Sequence, residues 1–147
     1  MTIPQMLFSF TGRLNRAKYW LIGLSIIVGV TAVVMALGMA GLFFGSTAFW
    51  VILIALYIPV VWASWAVGAK RLHDRNKTGW WLLLFYIAPT GLQTAGNLIE
   101  SPLSLVLNLA AAAIFIWMIV ELGFLRGTAG PNDYGPDPLQ QAEPTAA

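Results

Sequence analysis

Residues 19–69 run without a single Asp, Glu, Lys or Arg. Since ~20 apolar residues cross a ~30 Å hydrocarbon core, a run of this length predicts two membrane-spanning helices rather than one. Gly41, Gly45, Ser46 and Thr47 cluster in its middle and place the turn there, leaving spans over about 20–41 and 48–69. The polar segment Lys70-Arg71-Leu72-His73-Asp74-Arg75-Asn76-Lys77 follows, and then a further uncharged run that predicts a third span over 79–99. Glu100-Ser101-Pro102 interrupts it, and a fourth span over 103–125 carries one charge, Glu121, near its end. The third is the least regular, because Pro89-Thr90-Gly91 lies at mid-depth with Gln93, Gly96 and Asn97 beyond it; one continuous helix, two short halves and a re-entrant segment all fit. The pattern predicts an all-α fold, a polytopic transmembrane four-helix bundle with a short irregular polar cap. Residues 1–138 form a single membrane domain, and 139–147 read as a flexible C-terminal tail.

Composition narrows this further. Of the 147 residues 59% are hydrophobic and 10% charged, against the ~25% charge of soluble domains, so an ordinary soluble globule is excluded. The absence of cysteine removes disulfides, thiolate nucleophiles and Cys-ligated zinc. The first apolar stretch is longer than the 7–15 residues of a signal-peptide core, and it reads as a retained span.

The net charge of +2 matters less than where the charges sit. Arg13, Arg16 and Lys18 precede the first span, Lys70, Arg71, Arg75 and Lys77 lie between the second and third, and Arg126 follows the fourth. All eight fall on one side of a four-span chain, so the positive-inside rule places both termini in the cytoplasm. Tyr19, Trp20, Trp65, Trp80 and Trp81 at the same span ends fit an interfacial aromatic belt.

Alternating spans bring the segments around 13–18, 70–77 and 121–137 to that face. The candidate polar cluster is Arg13, Arg16, Arg71, His73, Asp74, Arg75, Glu121 and Asp137. Glu121, about four residues inside the end of its span, needs a cation; Arg126 or an arginine of the basic loop would hold the span to that loop, while a proton-relay or substrate-contacting role is the alternative. His73 and Asp74 are the obvious acid–base candidates, but adjacent residues need not face each other, and no Ser or Cys nucleophile motif, P-loop, GxGxxG or GxSxG accompanies them. No cofactor or metal site is indicated, and the reading is non-enzymatic. Partners are the lipid bilayer itself, anionic lipid headgroups drawn to the basic loop, and a membrane-protein partner or homo-oligomer, with no nucleic acid. A small oligomeric transporter or channel using Glu121, Pro59 and Pro89 is the runner-up, and a lipid-modifying enzyme at the interface the third.

Three motifs, in order, carry a resemblance. They are Phe10-Thr11-Gly12-Arg13-Leu14-Asn15-Arg16-Ala17-Lys18-Tyr19-Trp20, the segment from Lys70 through Lys77 continuing Thr78-Gly79-Trp80-Trp81, and Gly130-Pro131-Asn132-Asp133-Tyr134-Gly135-Pro136-Asp137-Pro138. Over roughly 8–138 the chain resembles the domain-of-unknown-function family 805, small bacterial inner-membrane proteins. Asp133 departs from the family pattern, where a basic residue is expected. The resemblance implies a multi-pass inner-membrane protein and brings no settled activity with it.

Overall fold

The computed structural model describes residues 2–42, 45–99 and 101–140. Five helices follow one another: α1 (Ile3–Phe8), α2 (Arg16–Met39), α3 (Thr47–Asp74), α4 (Trp81–Leu98) and α5 (Pro102–Ile119), the last running directly into a π-turn over Val120–Phe124. Among the described residues there is no strand, only an isolated bridge between Asn132 and Gly135. Residues 141–147 of the expected tail lie outside the described residues.

Local chemistry sets the helix ends. The Asn15 side chain accepts the Lys18 N–H at 2.9 Å and starts α2, and Ser46 accepts the Phe49 N–H at 3.2 Å and starts α3. Ser101 caps α5 ahead of Pro102, whose fixed φ suits a first helical turn. α3 stops because Asn76 turns left-handed at φ 55°; the Lys77 and Asn76 N–H groups then close back on Leu72 and His73 carbonyls in a Schellman motif. Asn is one of the few residues that takes this conformation at little cost.

α2, α3 and the α5–π segment are each long and apolar enough to cross a membrane. α4 is not among them, although it passes Pro89 without a break. At 18 residues it is roughly 27 Å long. Its lower apolarity comes from Thr90, Gln93, Thr94 and Asn97. Gly41 lies past the end of α2 at φ 77°.

Burial is concentrated at one end. Ala69 and Leu72 of α3, Leu82 and Phe85 of α4 and Leu122 of the π-turn form the core, with Tyr19, Trp65, Tyr86, Ile114 and Met118 packed against it. No residue of α2 is buried, as expected of a helix whose surroundings are lipid rather than protein. The turn before α4 packs closely on α3 where Gly79 meets Ala69: a Cβ on Gly79 would lie 3.2 Å from that of Ala69.

Candidate functional site

The cap at this end is built from residues 12–16, 70–79 and 121–139, and Asp74 is its hub. Its carboxylate is buried between two guanidiniums: Arg13 Nε and Nη2 each reach Oδ1 at 3.1 Å, and Arg71 Nη1 donates to Oδ2 at 2.6 Å. Arg13 and Arg71 are themselves 4% and 0% exposed. The Asp74 backbone carbonyl accepts the Thr128 N–H at 2.8 Å, so one residue ties α2's approach, α3 and the C-terminal segment together. Gly127 lies flat on the carboxylate, where a Cβ would come within 2.1 Å of Oδ2.

The arginines also serve the chain that leaves α5. A helix end strands its last carbonyls, and a π-turn displaces them further from their usual donors. Side chains supply the missing donors here. Arg71 Nε donates to Leu122 O at 2.7 Å and Nη2 to Leu125 O; Trp20 Nε1 donates to Gly123 O at 3.0 Å; Arg75 Nη1 donates to Arg126 O at 2.8 Å. Arg13 continues the series with Thr128 O and Gly130 O, both at 2.6 Å, and Gly135 O at 3.2 Å. Cations at a helix C-terminus are also favoured by its dipole.

Glu121 sits inside the π-turn and is 3% exposed. It pairs with two cations, Arg75 Nε at 2.6 Å and Lys77 Nζ at 2.7 Å, both on Oε1. Its partners are therefore the basic-loop arginine and a lysine; Arg126 contributes only a backbone carbonyl to the arrangement. His73 and Asp74 do not face each other. The His73 ring stacks on Tyr134 at 3.9 Å between centroids, with Nδ1 3.2 Å from Gly12 O. Asp137 accepts the Leu139 N–H at 2.9 Å and the Gly130 N–H at 3.0 Å; these two bonds and the nearby Arg13 hold its carboxyl below the ordinary carboxylate range. Arg16 makes one long contact, 3.4 Å to Phe124 O.

Sequence reasoning passed over several members of the cap. Lys70 is fully buried and donates to Gln5 O at 2.8 Å and to Met6 O, gripping the end of α1, a helix the pattern did not predict. Lys77, Tyr134 and Asn132, whose Nδ2 donates to His73 O at 2.9 Å, complete the cap. The signal was present for all four, since all lie within the motifs, but Lys70 read only as one more topology charge.

Beside the cap opens a cleft of about 520 Å³. Arg16 and Arg126 line it, together with the edges of Asp74 and Asp137 and the start of α2 at Asn15 and Ala17. Neither arginine has a carboxylate within salt-bridge distance among the described residues.

No solved structure matches the chain. It is 35% identical to the uncharacterized protein YiiR of Escherichia coli K12 over 141 residues, 93% of this chain and 90% of that one. It is 28% identical to the inner membrane protein YhaI over 133 residues, covering 88% and 85% of the two chains, and 29% identical to the inner membrane protein YhaH over 136 residues, covering 88% and 86%, both from the same organism. The family model described as a protein of unknown function (DUF805) matches residues 7–136, which take in the first two motifs, the third as far as Pro136, and every member of the polar cluster but Asp137, and the chain belongs to that family.

Proposed function

We propose that this is a non-enzymatic inner-membrane protein whose cap holds an anionic phospholipid headgroup in the cleft between Arg16 and Arg126. The observation that carries the reading is that these two arginines line the cleft without a carboxylate partner among the described residues, while Arg13, Arg71 and Arg75 are committed to Asp74, Glu121 and backbone carbonyls. A phosphate offers bidentate acceptors to such guanidiniums. The cleft also adjoins the N-terminus of a 24-residue helix, where backbone N–H groups favour an anion. The carboxylates at its edge are already held, Asp74 by two arginines and Asp137 by two N–H groups, which lessens their repulsion of a phosphate.

In this reading residues 1–138 are one membrane domain, α4 is a fourth span, and the cap faces the cytoplasm with both termini. All eight Lys and Arg sit on segments that meet at the cap end, the arrangement the positive-inside rule assigns to the cytoplasmic face. The homologues named inner membrane proteins support the compartment.

Native mass spectrometry of the protein released from mild detergent tests the headgroup site, with wild type beside Arg16→Ala/Arg126→Ala. Phosphatidylglycerol or cardiolipin retained by wild type and lost from the variant is the expected result; equal retention, or two bare proteins, overturns it. Protease digestion of an epitope placed after Ala147, in inverted vesicles, tests orientation, and protection there would refute cytoplasmic termini.

A further inference from the structure

The polar residues of α4 are not scattered. Thr90, Gln93, Thr94 and Asn97 stand at i, i+3, i+4 and i+7, which places them on one face of the helix. All four are exposed. Thr90 Oγ1 is satisfied locally by Tyr86 O at 2.8 Å, but Gln93, Thr94 and Asn97 make no side-chain hydrogen bond with any described residue. The rest of the fold leaves this face uncovered. α5 packs on α4 from another side, where Asn108 lies against Gly96, and α2 packs on α3 and the π-turn with no close backbone approach to α4.

We infer that this face of α4 is where a second copy of the chain docks. The inference rests on α4 being a membrane span, in which Gln93 lies roughly 18 Å along the axis from the interfacial Trp81. Two uncompensated carboxamides are costly against lipid tails, where no water replaces the missing partners. A carboxamide carries both donors and an acceptor, so it is self-complementary. Two chains inserted with the same orientation can be related by a two-fold axis along the membrane normal, which brings Gln93 to Gln93 and Asn97 to Asn97 and satisfies both ends of each amide. Gly91 and Ala95 line a groove with Thr90 and Thr94 along one edge of the row, where their small size leaves room for a neighbouring helix. A cation, a carboxylate or an apolar helix would leave half of each amide unmet; a second α4 does not.

The natural chain has no cysteine, so single-cysteine variants report without background. Cysteine is placed in turn at positions 90, 93, 94 and 97, and at the equally exposed positions 105 and 109 of α5, and each variant is oxidised in native membranes and probed with a membrane-impermeant maleimide. The expected result is an adduct at twice the 16.0 kDa chain mass from the four α4 positions and none from α5, with no maleimide labelling. In the cysteine-free background, Gln93→Leu should weaken dimerisation about threefold per hydrogen bond lost, read by energy transfer between labelled chains. Cross-linking as strong at 105 and 109 would mean random collision and overturn the interface, as would an adduct of another mass, which would assign the face to a different protein. Neither cross-link nor labelling would overturn the dimer and leave α4 in the membrane. Labelling without cross-link would overturn both the dimer and the span beneath it.

Discussion

Replacing Asp74 by Ala is the sharpest test of how the cap is held. The substitution removes one carboxylate and strands two guanidiniums, Arg13 and Arg71, that are almost wholly enclosed. Breaking a buried ion pair from one side costs about 3–5 kcal/mol, most of it the penalty of an uncompensated buried charge. Here the lower half of that range applies, because each arginine keeps carbonyl partners: Arg71 retains Leu122 O and Leu125 O, and Arg13 retains Thr128 O, Gly130 O and Gly135 O. A loss of about 3 kcal/mol should lower the unfolding midpoint by roughly 6–12 °C for a chain of this size. Circular dichroism and tryptophan fluorescence in one mild detergent read that midpoint. Lys77→Ala is the comparison, since Lys77 is 30% exposed and Arg75 still holds Glu121 after its loss; a shift of about 1 kcal/mol or less is expected. If Asp74→Ala unfolds no earlier than Lys77→Ala, the buried triad does not hold the cap together.

Two further outcomes follow from the same geometry. Gly127→Ala drives a methyl group into an Asp74 carboxylate that two arginines keep from moving, so it should destabilise by about 1–3 kcal/mol in the same assay, whereas Gly23→Ala, with open space around it, should be neutral or mildly stabilising. The Asp137 carboxyl is depressed in the folded state, so its contribution is fully present above the ordinary carboxylate range and is lost as pH falls through the lowered value; Asp137→Asn should remove that part of the acid limb from a plot of melting temperature against pH, and coincident wild-type and variant curves would refute the role given to the Leu139 and Gly130 N–H groups.

The cap's construction also redirects experiments on function. Arg71 and Arg75 look, from their place in a basic loop, like free charges awaiting a ligand. Both are occupied with carboxylates and backbone carbonyls, so removing them would damage the fold before it reported on binding. Arg16 and Arg126 are the pair whose removal leaves those contacts standing.

What was legible in the sequence was whatever depends on composition over many residues. Helices that cross lipid must satisfy their own backbone and shed charge, so α2, α3 and the α5 segment announce themselves as long apolar runs. The clustering of basic residues at span ends likewise places the segments around Arg13, Arg71 and Glu121 at one end from topology alone. The tertiary structure decided the pairings, because these hang on single-residue register. One extra residue in the π-turn sets which carbonyls face Arg71, Trp20 and Arg75 and puts Glu121 toward Arg75 and Lys77 rather than Arg126. The separation of His73 from Asp74 and the seating of Lys70 on α1 are decided in the same way, by contacts between residues 50 or more positions apart whose partners no local pattern specifies. α4 shows both sides of the division: its four polar residues and Pro89 are plain in the sequence, but that the helix runs unbroken and leaves that face uncovered follows only from how α2 and α5 pack.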